Sequence, residues 1–417
     1  MFFKKIIQKP TWCILTLIIV NICSIGALLI VVILSGTDYH ELLLRDDGYY
    51  NIAKSFVHGG NLMHRFRGPV LPLIFSTLFL FPDKWHSILR LVISLMVSIA
   101  VICISYQIAK NYLNLRQFLI GGLLFILNPI YIHWTFKSSP EIYLSLCLGL
   151  FILNILKYYK WHKIKCLIYA TVAFVISFFI KPTFLFIPIV MLIAACIWVK
   201  SKEIIVVSFL YIVMGIVSFV ACDKFTQIKY EPSTKLIQRK YAYVHKIFLI
   251  TDSFWTDYVL KTRQFHKGTV HRYKIPYKEG KSLYECKYEW LEHFFRKYPD
   301  ANLLFTNLYF IYDKPWLVVQ KLLVSPIFYF SMSARTYETF LKLIFNAIAL
   351  FFVMWGIKIL YRQKYVRKEL TLILSIVAGY IILHLLTHAM NRYALPILPY
   401  LFVFGGVSLA NIRWRTR

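Results

Sequence analysis

Apolar runs of about twenty residues recur along the chain, separated by shorter segments that hold most of its charged residues. A run of that length crosses the ~30 Å hydrocarbon core of a bilayer as one helix. The pattern therefore predicts an all-α polytopic membrane protein with about ten transmembrane helices. The predicted spans are residues 12–34, 87–109, 117–136, 140–156, 165–180, 182–199, 203–222, 339–360, 370–388 and 394–411.

One further apolar run, residues 69–81, is shorter than a span and contains Pro69 and Pro72, with Pro82 directly after it. We expect it to remain on the outer face as a re-entrant or juxtamembrane segment. If this run crossed the bilayer, every later basic connection would change sides.

Basic residues are distributed unevenly between the connections of the predicted spans. Cytoplasmic connections of membrane proteins carry an excess of Lys and Arg, which orients the chain. With the N-terminus cytoplasmic, held by Lys4, Lys5 and Lys9 as a retained signal anchor, the opposite short connections hold little positive charge. The basic residues of the predicted cytoplasmic connections are Lys110, Arg116, Lys157, Lys160, Lys163, Lys165, Lys200, Lys202, Arg362, Lys364, Arg367 and Lys368.

Composition excludes several classes of protein. Apolar residues make up 59% of the chain and charged residues 16%, with a mean hydropathy of +0.61, which excludes a soluble enzyme or a disordered regulator. Seven of the 8 cysteines fall in or at the edge of apolar runs, which excludes a disulfide-stapled secreted domain. The net charge is +29. The basic residues that produce it lie mostly at the ends of apolar runs and form no continuous basic arm, so nucleic acid is not an expected partner.

The predicted spans divide the chain into three parts. Residues 1–222 form an N-terminal transmembrane module whose first outer loop, residues 35–86, holds the candidate catalytic residues. Residues 223–338 form a long extracytoplasmic loop, and residues 339–417 contain the C-terminal transmembrane helices.

Amphipathic helices are predicted within the long loop. The apolar periodicity indicates one helix over Tyr284–Tyr298 and a second segment that begins at Pro315 and is interrupted at Pro326. We expect both to lie on the outer membrane surface.

The first outer loop contains the densest group of polar residues, which begins Arg45-Asp46-Asp47-Gly48-Tyr49-Tyr50. Two adjacent carboxylates at a membrane surface can act as a general base or a cation site. Alternatively, Asp46 or Asp47 is the N-cap of a helix over Tyr49–Val57. The chain contains no phosphate-binding loop, dinucleotide fingerprint or zinc motif that would indicate another chemistry.

Isolated charges occur at the outer ends of several spans. Each is either an anchor that reaches toward the interface or part of a substrate site. The isolated charges are Arg90, Glu141, Lys181 and Arg392. Of these charges, Lys181 and Arg392 together with Arg67 can bind a phosphate headgroup.

His384 and His388 lie four residues apart on one face of the ninth predicted span. Such a pair can contribute two ligands to a metal, but no third ligand is evident in the sequence. Packing at the interface is the favoured interpretation.

The motifs resemble those of the GT-C membrane glycosyltransferases, which include protein O-mannosyltransferases and the aminoarabinose transferases that modify lipid A. The resemblance rests on D-D-G-Y-Y-x-x-A after the first span, R-G-P-V-L-P-L-I with Arg90 following, and S-S-P-E-I-Y at 138–143. F-F-I-K-P-T at 178–183 and N-R-Y-A-L-P-I-L-P at 391–399 extend it nearly to the end of the chain.

The resemblance implies inverting transfer of one sugar, a hexose or pentose, from a polyprenyl-phosphate donor to a lipid, glycan or protein acceptor. Asp46, or else Asp47, would be the base, and Lys181, Arg67 and Arg392 would bind the donor phosphate. Glu141 would orient a cation or the sugar, with Tyr50 and Arg90 also in the substrate site. No cofactor is required, although a divalent metal at Asp46 and Asp47 is compatible with this chemistry.

The expected location is a bacterial plasma membrane with the site on its outer, periplasmic face. The abundance of Lys and Ile and the lack of an N-x-Ser/Thr sequon favour a bacterial origin. Two alternatives remain. An O-antigen polymerase or ligase would concentrate its essential Arg and His in the late loop, and a lipid or solute transporter would place polar residues on broken helices at mid-membrane.

Overall fold

The computed structural model of the chain describes residues 9–44, 48–60, 62, 68–181, 184, 186–227, 253, 276–278, 281–299, 301, 303–331, 336–386 and 391–412. Nearly all of the regular structure in these residues is helical. A short antiparallel pair, β1 (Pro276–Lys278) with β2 (Lys281–Ser282), is the exception among the described residues.

The helices of the first half of the chain begin with one long apolar helix, followed by the short helices of the first outer loop. They are α1 (Pro10–Leu34), α2 (Tyr39–Leu44), α3 (Tyr49–Val57), α4 (Val70–Ser76), α5 (His86–Ala109), α6 (Leu115–Ile126), α7 (Pro129–Phe136), α8 (Pro140–Trp161), α9 (Ile164–Ile180), α10 (Ile187–Ala194) and α11 (Lys202–Gln227).

The helices of the second half include three that precede the last predicted spans. They are α12 (Leu283–Lys297), α13 (Leu303–Asp313), α14 (Pro315–Ser331), α15 (Thr336–Tyr361), α16 (Arg367–Leu386), α17 (Leu398–Phe402) and α18 (Gly405–Asn411). Short 3₁₀ segments occupy Thr77–Leu80, Asp83–Trp85 and Asn391–Ala394, and a π-helical turn occupies Ala195–Val199.

Five helical segments of the described residues are long and apolar enough to cross a membrane. A sixth candidate exists if α6 and α7, which meet at a bend of 61°, form one broken span. This confirms the prediction of an all-α polytopic membrane protein, whereas the count of ten crossings stays a prediction. The five segments are Pro10–Leu34, Asp83–Ala109, Pro140–Trp161, Phe340–Tyr361 and Arg367–Leu385.

The run 69–81 forms α4 and the 3₁₀ turn that follows it, together Val70–Leu80. Eleven helical residues rise only ~16 Å, about half of the hydrocarbon thickness. Its length therefore agrees with the expectation that this run does not cross.

The described residues divide between two compact units. The first unit contains residues 1–229, 345–381 and 394–417, and the second contains residues 230–344 and 382–393. Helices α12, α13 and α14 belong to the second unit, and the predicted amphipathic helix over 284–298 is confirmed as α12, Leu283–Lys297.

The prediction that Pro326 interrupts its helix is wrong, because α14 continues through Pro326 to Ser331. Proline removes one backbone N–H and leaves the carbonyl four residues earlier without its usual partner. In apolar helices neighbouring groups can compensate for this loss, so a proline does not have to end the helix.

Three of the predicted cytoplasmic connections meet at one end of the first unit. The Tyr112 hydroxyl donates to Glu369 Oε2 at 2.5 Å, and Lys160 Nζ lies 2.9 Å from the same oxygen. Tyr112 follows α5, Lys160 lies in the last turn of α8, and Glu369 lies in the first turn of α16. This grouping at one end of α8 agrees with the topology expected from the charge distribution.

Candidate functional site

The first outer loop enters the site through a glycine turn. Gly48 is the N-cap of α3 and has φ +88°, and its carbonyl accepts the Ile52 N–H at 3.1 Å. A residue with a Cβ is strained at such an angle. Gly48 therefore holds the cap position, and the alternative in which Asp46 or Asp47 satisfies the free amide groups of this helix falls on residues outside the described ones.

The acidic pair itself, Asp46 and Asp47, lies outside the described residues, and so does Arg67. The candidate cation site at the acidic pair is likewise outside them. What the structure describes is the chain on both sides of these positions, from α2 to Leu44 and from Gly48 onward.

Two segments of the first outer loop pack on the end of α9: the one that follows the acidic pair and the one that follows Arg67. The Tyr49 hydroxyl donates to the Ile180 carbonyl at 3.3 Å. At Gly68 an added Cβ would overlap the backbone carbonyl of Phe179, so only glycine permits this approach. The residues that follow the acidic pair and those that follow Arg67 thus contact the turn of α9 directly before Lys181.

Glu141 and Lys181 form an ion pair, with Lys181 Nζ 3.1 Å from Glu141 Oε1. Glu141 lies in the first turn of α8, where the helix dipole favours a carboxylate, and its side chain is fully buried. Lys181 is the C-cap of α9 and remains 23% exposed. The structure therefore brings together two residues that are 40 positions apart and were predicted to lie in one site.

Arg90 is fully buried in the first turns of α5. Its Nη2 donates to the Ser138 carbonyl at 3.2 Å, and its guanidinium lies 4.7 Å from the centre of the Phe75 ring. The interpretation of Arg90 as an anchor that reaches toward water is therefore wrong. The side chain instead joins α4 and α5 to the turn that precedes Glu141, where Ser138 has φ +49°.

Tyr50 lies in the first turn of α3 and contacts the start of α5. Its hydroxyl lies 2.8 Å from His86 Nδ1, and its ring stacks on Phe79 with centroids 5.3 Å apart. Burial raises the pKa of the Tyr50 phenol and the Asp83 carboxylate raises it further, while Arg90 acts in the opposite direction. The phenol therefore remains a neutral hydrogen-bonding group at physiological pH.

Arg392 belongs to the second unit, whereas Glu141 and Lys181 belong to the first. Its Nη2 donates to the Tyr393 hydroxyl at 3.0 Å. The Tyr393 carbonyl accepts the Tyr329 hydroxyl at 2.6 Å, and the His384 ring stacks on the Tyr393 ring with centroids 4.4 Å apart. Arg392 thus lies beside an aromatic cluster, and His388, the other half of the His384 pair, is outside the described residues.

His86 was not among the predicted site residues, although it contacts Tyr50 and is fully buried. The only signal in the sequence is a histidine at the N-terminal end of an apolar run. Such a signal also fits a residue at the membrane interface. The sequence alone therefore could not distinguish an interfacial histidine from a buried histidine that contacts Tyr50.

Comparison with known proteins finds a similarity over part of the chain. Residues 67–223 match the model of the dolichyl-phosphate-mannose-protein mannosyltransferase family. No curated protein and no solved structure matches the chain. The matched segment includes the predicted site residues Arg67, Arg90, Glu141 and Lys181. Residues 67–223 are therefore similar to a family of the GT-C superfamily of membrane glycosyltransferases, whose members use polyprenyl-phosphate sugars as donors.

Proposed function

We propose that this protein transfers one sugar, with inversion, from a polyprenyl-phosphate donor to an acceptor hydroxyl on the outer face of a bacterial plasma membrane. The acceptor oxygen forms a bond to the anomeric carbon while the bond from that carbon to the phosphate oxygen breaks. The acceptor proton passes to Asp46, or to Asp47 if that residue is the base. The polyprenyl phosphate leaves with the bonding electron pair.

The observation that carries this proposal is the pair formed by the buried Glu141 and the partly exposed Lys181, at the point where the first outer loop packs on α9. Charge grows on the departing phosphate during the reaction, and a cation fixed in a low-dielectric site stabilises it. Glu141 fixes the position of the Lys181 ammonium, and the exposed part of Lys181 is accessible to a ligand.

The residues that follow the acidic pair in the sequence contact the residue that precedes Lys181. Gly48 directly follows Asp47 in the sequence, and Tyr49 contacts Ile180, which directly precedes Lys181. A base and a phosphate-binding cation on opposite sides of one sugar are the arrangement that inverting transfer requires. We assign Arg67 as a further cation for the phosphate, and the same role for Arg392 stays a prediction from the sequence.

In this proposal Arg90 and Tyr50 position the segments around the substrate site. Arg90 holds the turn that leads to Glu141, and Tyr50 presents its phenol beside the start of α5. The family description favours mannose as the sugar, and the acceptor is a protein, a lipid or a glycan of the cell envelope such as lipopolysaccharide.

The first test separates a phosphate-binding lysine from a lysine that only neutralises Glu141. Purified protein in liposomes is supplied with polyprenyl-phosphate mannose and an extract of envelope acceptors, and donor consumption is followed. Lys181→Ala should lower kcat/KM by roughly 30-fold or more, because the phosphate loses a charged partner. The matched control is Lys160→Ala, which removes the lysine at the opposite end of α8 and should retain activity.

The double variant Glu141→Gln/Lys181→Ala decides the interpretation. Lys181→Ala alone leaves the buried Glu141 carboxylate without its lysine, which is destabilising. The double variant has no such unpaired carboxylate. If the double variant remains as impaired as Lys181→Ala, the lysine acts on the substrate. Recovery to within about threefold of the parent protein would overturn the phosphate-binding role, because loss of the ion pair alone would then explain the defect.

A second experiment identifies the product. Mass spectrometry of surface glycans and glycolipids, from cells with and without the protein, should show the loss of one sugar mass from one class of molecule. An unchanged glycan profile, together with no donor consumption in liposomes, would overturn the proposed activity.

A further inference from the structure

Two adjacent residues at the start of α5, His86 and Ser87, are both fully buried and lie outside every motif that carries the family resemblance. Each contacts a different short helix of the first outer loop. Buried polar side chains are stable only when they are hydrogen-bonded, so the partners of these two residues determine how the loop is held.

His86 contacts α3, which follows the acidic pair. Its Nε2 lies 2.8 Å from the Phe81 carbonyl, which can only accept, so Nε2 carries the ring hydrogen in the neutral form. Nδ1 is then an acceptor and receives the Tyr50 hydroxyl hydrogen at 2.8 Å. The Asp83 carboxylate is farther away, 3.6 Å from Nδ1, and is 90% exposed, so it is the weaker contact.

Ser87 contacts α2, which precedes the acidic pair. Its Oγ lies 2.6 Å from His40 Nδ1, within hydrogen-bond distance. His40 lies in the first turn of α2, and its backbone N–H donates to Asp38 Oδ1 at 2.8 Å. Two consecutive residues of α5 therefore hold the chain at His40 and at Tyr50, on either side of Asp46 and Asp47.

We propose that His86 and Ser87 are positioning residues that fix the acidic pair by holding the helices on both of its sides. This inference rests on the proposed function, because it takes the acidic pair to contain the base. A displacement of about 1 Å can reduce catalysis 10²-fold, and a base on a loop depends on such supports. α5 supplies a rigid element for this purpose.

The sharpest test uses two substitutions of His86 that each preserve one nitrogen position. In His86→Asn the side-chain oxygen replaces Nδ1 and can accept from Tyr50, while the contact with Phe81 is lost. In His86→Gln the amide nitrogen replaces Nε2 and can donate to Phe81, while the acceptor for Tyr50 is lost. We expect His86→Gln to reduce kcat about 10–100-fold with the donor KM unchanged, and His86→Asn to recover most of that loss.

Tyr50→Phe should produce the same fall in kcat as His86→Gln, and the double variant should be no worse than either single variant. Equal defects in His86→Asn and His86→Gln, or full activity in Tyr50→Phe, would overturn the proposal for His86. Ser87→Ala should also lower kcat. Its matched control is Ser105→Ala, which removes a buried serine of the same helix that bonds only the Val101 carbonyl within α5.

A second readout does not depend on glycosyl transfer. Asp46→Cys is labelled with a maleimide, and its labelling rate is compared alone, with His86→Gln and with His86→Asn. We expect the rate to change severalfold with His86→Gln and little with His86→Asn. If the parent protein shows no transfer but this difference is observed, the proposed function fails while the positioning role stands. If transfer is present and the labelling rates are equal, the positioning role is wrong.

Discussion

Helix α8 carries a carboxylate–lysine pair at each end, and the two pairs differ in burial. At the first turn, Glu141 is fully buried against Lys181. At the last turn, Lys160 pairs with Glu369, and their side chains are 29% and 15% exposed. The 22 residues of α8 separate the two pairs by ~30 Å, about the thickness of the hydrocarbon layer.

The surroundings of the two pairs also differ. Glu369 accepts from Tyr112 as well as from Lys160, and burial together with the Glu369 carboxylate raises the pKa of Tyr112. Three predicted cytoplasmic connections are joined in this way. Glu141 instead pairs with Lys181 and follows the turn at Ser138, whose carbonyl accepts from the buried Arg90. This is the end of α8 near which the first outer loop packs on α9.

The energetics of the two pairs suggest different roles. A partly exposed pair is screened by water and contributes little to stability. The Glu141 carboxylate is fully buried and has lost hydration that its attraction to Lys181 only partly offsets, so stability is a poor explanation for this pair. We therefore interpret the Glu369 end as the structural end of the first unit and the Glu141 end as the substrate end.

Opposite labelling of the two ends is the largest expected effect, because accessibility to a membrane-impermeant reagent is all or none. Asn111→Cys and Lys160→Cys should be labelled only from the cytoplasm, and Lys84→Cys, in the exposed turn before α5, only from outside. The parent protein, which retains its native cysteines, gives the background. Labelling of Asn111→Cys or Lys160→Cys from outside would show that the ten-span topology is wrong.

Substitution of the candidate base should produce the next largest effect. Asp46→Asn removes the ability to accept a proton and should lower turnover by roughly 10²–10⁴-fold without loss of folding, since Gly48 is the helix cap. Donor binding, measured separately, should change little. Glu369→Gln removes a carboxylate at the opposite end of α8 and serves as the control for charge loss, with turnover close to that of the parent.

Asp47→Asn extends this test along the chain. Full activity in Asp46→Asn with an inactive Asp47→Asn would move the base by one residue. Full activity in both variants, in an assay where the parent transfers sugar, would exclude a catalytic role for the acidic pair.

Gly48→Ala should have a moderate effect. A Cβ at φ +88° costs about 1–2 kcal/mol and shifts the turn that follows the acidic pair. We expect turnover to fall about tenfold. Gly59 also has a positive φ, +84°, with open space around an added Cβ, but it lies beyond the other end of α3. Gly59→Ala should carry similar strain with turnover retained, and equal losses in the two variants would argue against a special role for the Gly48 turn.

His162→Gly should have the smallest effect. His162 is the C-cap of α8 with φ +50°, and glycine relieves the strain of that conformation by up to about 1 kcal/mol. Thermal unfolding in detergent should occur at a slightly higher temperature while turnover stays the same. A fall in turnover would contradict the distinction between a structural end and a substrate end.

The hydrophobic pattern was sufficient to predict most of the long helices. The runs at 12–34, 87–109 and 140–156 correspond to α1, α5 and α8, because twenty apolar residues bounded by charges have few other stable conformations in a bilayer. The short run at 69–81 forms the helical segment Val70–Leu80, and its location on the outer face stays a prediction. The motif resemblance predicted Glu141 and Lys181 in one site, and the structure shows that the two side chains form an ion pair, while their role in a site stays a prediction.

Tertiary structure decided the features that depend on which groups become neighbours. Whether Arg90 reaches water or is buried depends on the position of the Ser138 carbonyl, 48 residues away. Whether Pro326 ends its helix depends on compensation by surrounding groups.

The sequence by itself determined that the chain enters a membrane as helices and that its isolated charges lie near the ends of apolar runs. Those properties follow from local composition, since each apolar run must satisfy its own backbone hydrogen bonds. Only the tertiary structure decided that Glu141 pairs with Lys181 and that His86 and Ser87 hold the helices beside the acidic pair. These contacts join residues 40 or more positions apart in most cases, and their formation depends on the packing of whole helices, which no local pattern encodes.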